Sequence, residues 1–492
     1  MKPPFCHVFD CRGRQYAYDV NSGDVVAIDP PTAAVLTGLE EGSCATVTAD
    51  ELRDARKRVA AAQVEQGLFL PDRPRDLNTC GICHDASGYD DQVEQLTLSI
   101  TDQCNLRCRY CLHGNDLAWV RPHRDANMSL ATARAAVRDY LRRSRNARIP
   151  SISLYGGEPL LNLDLIRDLV ALVRSEGTRD DYRIIIDTNG TLLDDETVAF
   201  VVDEDLGLQV SLDGPARIHD RHRRYRGGDP THAAIMDGLR RFMRASPRAQ
   251  ERLHLQVTLT PPGHLEEIGD YFATFPLFRE FGREEAPSLN VNAADLKGAD
   301  LEALGITGDD FRAFAADLDA ARARYVAASI DGDQEALDPL LRALFDGDLI
   351  SFYHRRRGPL GETIAPGGCC RPGQRRLHVR ADGVYQPCER VGMGLPIGDA
   401  ARGVDLAAVD RLWGRFTDAL GDRCLDCWAC RLCSICFTSL AEEWQADDEG
   451  ATIQTEDCDG VRARLERTLR TYAELVHRNP GSLDFLKESS VS

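Results

Sequence analysis

Between residues 94 and 298 short apolar runs alternate with amphipathic stretches, and this limits the available folds more than any other feature of the chain. Strand-like runs lie at 94–100, 152–155, 182–187, 206–212, 253–259 and 288–291. Helical periodicity fills 130–145, 163–175, 195–202, 231–245 and 264–281. Ser129, Asp194 and Thr231 mark helix starts as capping residues. Strands that alternate with helices pair in parallel through right-handed crossovers. The expected fold is therefore α/β, a partial (β/α)6 TIM-like barrel that stays open, with reactive groups at the C-terminal ends of its strands.

The thiols are distributed unevenly. Seventeen cysteines stand at 6, 11, 44, 80, 83, 104, 108, 111, 369, 370, 388, 424, 427, 430, 433, 436 and 458, and none lies between 112 and 368. Cysteines used as small core hydrophobes would occupy that stretch too. The gap points to one metal site near 104–111 and at least one more between 369 and 458. The first ten residues, MKPPFCHVFD, contain no apolar targeting segment, and no run is long enough to span a bilayer. The expected location is the cytoplasm, where clustered thiols hold metal more often than they form disulfides. A net charge of −19 argues against nucleic acid as a partner, and no membrane is expected either.

The remaining segments fall into place around the barrel. Residues 1–72 read as a small α+β domain: strands at 16–20 and 24–29 around Asn21-Ser22-Gly23, then helices at 31–39 and 49–67. The second helix is expected to bury Leu52, Val59 and Val64. A linker at 73–93 leads to the barrel, 94–298. A helical bridge, 299–362, with helices at 309–329 and 333–345, leads to a Cys-rich domain at 363–478. A final helix near 459–478 precedes a tail, 479–492.

The first strand runs into Cys104, Cys108 and Cys111, spaced C-x3-C-x2-C, with Tyr110 before the last thiol. Three thiolates hold three irons of a 4Fe–4S cube and leave the fourth open. A zinc knuckle completed by His113 is the alternative. Gly156-Gly157-Glu158-Pro159 follows the second strand and Thr188-Asn189-Gly190-Thr191 the third. Ser211-Leu212-Asp213-Gly214-Pro215 follows the fourth, with His219, Asp220 and Arg223 beyond it. These blocks, in this order, resemble the radical S-adenosylmethionine (SAM) enzymes over 94–298. The resemblance implies that the open iron chelates the amino and carboxylate groups of SAM. It also implies that Gly156, Gly157 and Glu158 receive the methionine end, with the Glu158 carboxylate on its ammonium. Tyr110, Asn189, Ser211, Asp213 and Arg223 complete the implied SAM site.

The C-terminal thiols resemble the SPASM extension of that superfamily. Cys370, Gly383 and Cys388 match its first part, and Cys424, Cys427 and Cys433 its second, with Trp428-Ala429 between. The step to Cys436 is one residue short. Carried over by position, one auxiliary 4Fe–4S cluster takes Cys424, Cys427, Cys433 and Cys458. The other takes Cys370, Cys388 and Cys436, with Cys369, Cys430 or an open iron in fourth place. Paired zinc ribbons also explain C-x2-C spacing. Cys6, Cys11 and Cys44 read as incidental thiols, and Cys80 and Cys83 receive no role.

The implied cofactors are thus three 4Fe–4S clusters and SAM, whose reductive cleavage gives a 5′-deoxyadenosyl radical that abstracts hydrogen from substrate. Pro387-Cys388-Glu389-Arg390-Val391-Gly392 looks most like the maturases of ribosomally made peptides, which form thioether or other crosslinks. The N-terminal domain, winged-helix-like, resembles their leader-recognition domains. The implied partners are a precursor peptide with a leader and a low-potential electron donor such as flavodoxin or ferredoxin. Alternatives are an anaerobic sulfatase-maturing (formylglycine-forming) enzyme, a protein-cofactor crosslinking maturase, and a non-catalytic iron–sulfur carrier or scaffold. Asp and Glu are too abundant for spacing to select a catalytic acid or base.

Overall fold

The computed structural model describes residues 2–38, 47–77, 87–111, 113, 122–246, 248–296, 299–333, 336–364, 370–440 and 455–489. Cys44, Cys80, Cys83 and Cys369 lie outside them.

The N-terminal unit is an antiparallel sheet of three strands, β1 (Cys6–Cys11), β2 (Arg14–Asp19) and β3 (Val25–Ile28). The sequence reading missed β1. Helix Ala49–Glu65 opens with a capping box between Thr48 and Glu51, and buries Leu52, Ala55 and Val59. Val64 is 86% exposed, contrary to expectation, because five residues from Val59 is more than one turn and points off that face. Two short parallel strands, β4 (Asp76–Leu77) and β11 (Thr363–Ile364), join the linker to the start of the Cys-rich segment.

The centre is a run of parallel strands in sequential order: β5 (Gln95–Thr101), β6 (Ser151–Gly156), β7 (Arg183–Thr188), β8 (Gly207–Ser211), β9 (Leu253–Leu259) and β10 (Ser288–Ala293). The sheet is open. β10 is one edge, and beyond β5 it continues through β12 (Arg376–Val379), which runs parallel to β5. Antiparallel β13 (Val384–Gln386), β14 (Gly398–Asp399) and β15 (Gly403–Val404) complete it. The Cys-rich region therefore shares the central sheet.

Side chains alternate across each strand. Leu96, Leu98, Ile152, Leu154, Ile184, Ile186, Leu208, Val210, Leu255 and Val257 are buried in one core with the helices. The opposite face carries Thr97, Ser153, Asp187, Gln209, Ser211, Gln256, Thr258, Asn290 and Asn292, which line a cavity. A closed TIM barrel fills its interior with branched apolar residues. Here the interior is polar and hollow.

Three helix boundaries differ from expectation. The 264–281 segment is two helices, Leu265–Ala273 and Pro276–Glu280, because Pro276 has no N–H to continue the first. The second helix of the bridge runs over Pro339–Tyr353, with Pro339 in the first turn and Asp338 accepting from the Leu341 N–H. Thr231 makes no cap. Asp220 accepts from the N–H groups of Thr231 (2.8 Å) and His232 (3.0 Å) instead. Among the described residues no helix is long and apolar enough to cross a membrane.

Candidate active site

The thiol loop leaves β5 at its C-terminal end and is held there by backbone contact. A Cβ on Gly157 would lie 2.1 Å from the Gln103 carbonyl oxygen, and one on Gly156 2.3 Å from that of Thr101. Gly156 also adopts φ 134°, open only to glycine. The N–H groups of Gly157 and Glu158 donate to the Thr101 and Gln103 carbonyls at 2.8 Å. Asn189, after β7, clamps the loop from the other side. Its side-chain amide donates to Asn105 Oδ1 at 2.8 Å and points at the Cys104 sulfur, 3.9 Å away.

Cys104, Cys108, Cys111, Tyr110, Gly156, Gly157, Asn189, Ser211 and Arg223 all line the cavity, whose volume is about 420 Å³. Burial pushes the Cys104 thiol up to about 11 and the Cys108 thiol up to about 12. Metal uptake there must expel protons from the thiols it binds. Tyr110 donates to Asp213 Oδ2 at 2.5 Å and accepts from Arg223 Nη1 at 3.0 Å. Arg223 is buried, and its Nε has no hydrogen-bond partner. Facing thiols, a glycine cradle and an unsatisfied guanidinium N–H fit a 4Fe–4S cluster with a bound carboxylate. Among the described residues no three His, Cys, Asp or Glu side chains converge on a single metal ion.

The carboxylates of Glu158 and Asp213 are already engaged by the protein itself. Glu158 is fully buried and does not line the cavity. Its carboxylate accepts from the Asn189 N–H (2.7 Å), the Thr188 hydroxyl (2.7 Å) and the Leu160 N–H (3.1 Å). It ties the loops after β6 and β7 together, and burial lifts its carboxyl to about 7. Asp213 is likewise enclosed: Oδ1 accepts from the Thr258 N–H at 3.0 Å and Oδ2 from Tyr110. Both arrangements share a cause. A carboxylate at a crowded strand end meets backbone donors before any ligand.

The C-terminal thiols form two neighbourhoods. Cys427, Cys433 and Cys458 lie close enough to oppose the ionisation of Cys424; Cys427 and Cys458 oppose that of Cys433, and Cys427 that of Cys458. Cys388 has Cys436 beside it, and Arg376 feels both Cys388 and Cys370. Cys430 feels Cys427 and Cys424 of the first neighbourhood. It is buried in an apolar cluster with Phe5, Phe9, Tyr18, Phe352 and Leu469, between the N-terminal sheet and the last long helix. That cluster docks the N-terminal unit. His7 stacks on Trp428 at 3.9 Å, and Arg431 reaches the carbonyls of Val20 (2.9 Å) and Asn21 (2.8 Å).

Sequence reasoning missed a charged group on the cavity wall. Asp187, the sole acid on the inward face of β7, accepts from the Ser153 hydroxyl, and burial pushes its carboxyl up to about 7. Across from it Arg376 pairs with Glu389 at 2.7 Å. An acid ending the apolar run Ile184-Ile185-Ile186 was the available signal.

Comparison with known proteins agrees with this geometry. Residues 98–272 match the Radical SAM superfamily. GTP 3′,8-cyclase 1 of Mycobacterium tuberculosis is 37% identical over 122 residues, 24% of this chain and 32% of that protein. The serine-type anaerobic sulfatase-maturating enzyme of Bacteroides thetaiotaomicron is 27% identical over 139 residues, 28% of this chain and 33% of that protein. The chain thus spans about a third of the length of either relative. The solved structure of native anSMEcpe with bound AdoMet shares the fold, with a TM-score of 0.54 at 17% identity, over 80% of this chain and 100% of that one. Over residues 98–272, about a third of its length, the chain is thus similar to the Radical SAM superfamily.

Proposed function

We propose that the chain is a cytoplasmic peptide maturase that abstracts hydrogen from a ribosomally made precursor and closes a thioether or other crosslink. The observation that carries this reading is the placement of the thiols. Cys104, Cys108 and Cys111 stand on one wall of a polar cavity, and Arg376 and Glu389, beside Cys370 and Cys388, stand on another. Such a cavity suits a substrate reached from two metal centres.

When bound, the cluster and SAM supply a reductively generated radical able to abstract hydrogen from carbon. The chain's own residues position and enclose. The backbone of Gly156 and Gly157 admits close approach, the free Nε of Arg223 receives a carboxylate, and Tyr110 and Asp213 hold Arg223 in place. Inward amides and hydroxyls from β7 to β10 offer hydrogen bonds to a peptide backbone. Two auxiliary clusters, on Cys424, Cys427, Cys433 and Cys458 and on Cys370, Cys388 and Cys436, would carry an electron away or bind a substrate thiolate. Cys369, Cys430 or an open iron takes the fourth place of the second. The outer edge of β3 pairs with no strand among the described residues, so an extended leader peptide has an edge to join. Flavodoxin or ferredoxin would supply the reducing electron.

Sulfatase maturation is the second reading, favoured by the match to the Bacteroides enzyme. A simple electron carrier has no use for a chamber of about 420 Å³ beside its thiols. The test is anaerobic reconstitution, iron counting and reduction with SAM, then addition of a Cys-bearing peptide encoded beside the gene. Release of 5′-deoxyadenosine and a peptide lacking two hydrogens is expected. Failure to release 5′-deoxyadenosine refutes the enzyme reading, and formylglycine on a sulfatase peptide instead establishes the second.

A further inference from the structure

A second cavity, of about 340 Å³, adjoins the first, and Asn292 and Ala293 at the end of β10 line both. Leu259 and Val291 of β9 and β10 add to that wall, and the rest comes from helices. Helix Gly308–Asp331 supplies Phe314 and Leu318, helix Pro339–Tyr353 supplies Leu344 and Asp348, and helix Thr455–Arg478 supplies Arg464 and Arg467. One side is apolar. Phe311, 41% exposed, precedes Phe314 and Leu318 at helical spacing, so an apolar stripe runs from the surface into the chamber.

The other side carries excess positive charge. Asp348 lies 3.9 Å from Arg464, and Arg467 pairs with no carboxylate among the described residues. Two guanidinium groups face one carboxylate. In a chain of net charge −19, this is a local positive excess that suits an anion.

We propose that this chamber is a recognition subsite for the substrate, taking a peptide residue with a carboxylate next to an aromatic or branched apolar side chain. Arg467 pairs with the carboxylate, and Phe314 and Leu318 receive the apolar group. The modified residue then lies in the adjoining cavity. The inference rests on the peptide reading above and adds to it the class of sequence recognised.

The test uses the metal-loaded protein and fluorescently labelled acetyl-Gly-Glu-Phe-Gly-amide, with versions carrying Gln or Lys for Glu or Ala for Phe, and GTP as competitor. The Glu-Phe peptide should bind about tenfold more tightly than the Gln or Ala versions, as loss of a charge-assisted hydrogen bond or a buried ring requires. Arg467→Glu should reverse the preference toward the Lys peptide, Leu318→Asp should weaken all versions, and Arg467→Lys should keep the original order. Equal binding of Glu and Gln peptides, indifference to Arg467→Glu, or displacement of bound peptide by GTP overturns the proposal. Peptide-free SAM cleavage by the same Arg467→Glu preparation reports folding and is expected unchanged. Its absence in the wild-type protein would count against the enzyme reading, whereas its presence without the charge reversal counts against the subsite alone.

Discussion

Replacing Glu158 by Gln separates a structural carboxylate from a SAM ligand. Oε1 accepts from the Leu160 N–H and the Thr188 hydroxyl, and Oε2 from the Asn189 N–H, 2.7 Å away. A glutamine that keeps its carbonyl at Oε1 retains the first two contacts and turns an NH2 toward the third donor. The loss is one charge-assisted bond, about 1.5–3 kcal/mol, plus an unsatisfied buried donor, about 1–3 kcal/mol. Allowing for relaxation, the domain should lose roughly 2–5 kcal/mol. Denaturant midpoints of the metal-loaded protein measure this, and calorimetric titration with SAM measures the ligand side. The structure requires a large midpoint shift and a change in SAM affinity below about tenfold, since the carboxylate does not line the cavity. An unshifted midpoint with SAM affinity lost by more than about tenfold would refute this assignment and restore Glu158 to the methionine ammonium.

Other perturbations give distinct readouts. Cys430→Ser buries a hydroxyl among Phe5, Phe9 and Leu469, so stability should fall by about 1–3 kcal/mol with iron per chain unchanged. Cys388→Ser should lower the iron count, and the reverse pattern would make Cys430 a ligand. Asp187 holds its proton to about 7 in the folded chain against 3.8 unperturbed, so the folded state binds more protons between those values. Wild-type stability relative to Asp187→Asn should therefore decline as pH rises through that window, by on the order of 2–4 kcal/mol. Melting the two proteins at about pH 5 and about pH 7.5 checks the sign, and parallel behaviour contradicts it. Arg431 spans the carbonyls of Val20, Asn21, Arg356 and Gly358 at 2.8–2.9 Å. Arg431→Ala should loosen the N-terminal sheet and speed its proteolysis, while SAM cleavage persists.

Much of the site was legible because its pieces are local. The C-x3-C-x2-C spacing, the glycine pair and the Thr188-Asn189-Gly190 turn are each set by a few adjacent residues, and the structure brings all three to one cavity. The hydrogen-bond partners of Glu158 and Asp213 were not legible. Whether a carboxylate meets a ligand or a backbone N–H depends on donors from strands tens of residues away, here Asn189 and Thr258. The joining of β12 to β5 was equally hidden, since Leu377 pairs with Leu96 without any local pattern linking them.

The sequence by itself determined the order of parallel strands and the loop that bears the first three thiols. Strand–helix periodicity and thiol spacing are properties of short stretches, and local sterics and hydrophobic pattern specify them. Tertiary structure alone decided that the inward faces leave a polar chamber, that Asp187 confronts the Arg376–Glu389 pair across it, and that Cys430 belongs to a core. Those outcomes depend on which distant surfaces are packed together. Burial, which sets the charge of Asp187 and raises the Cys430 thiol, is a property of the assembled fold.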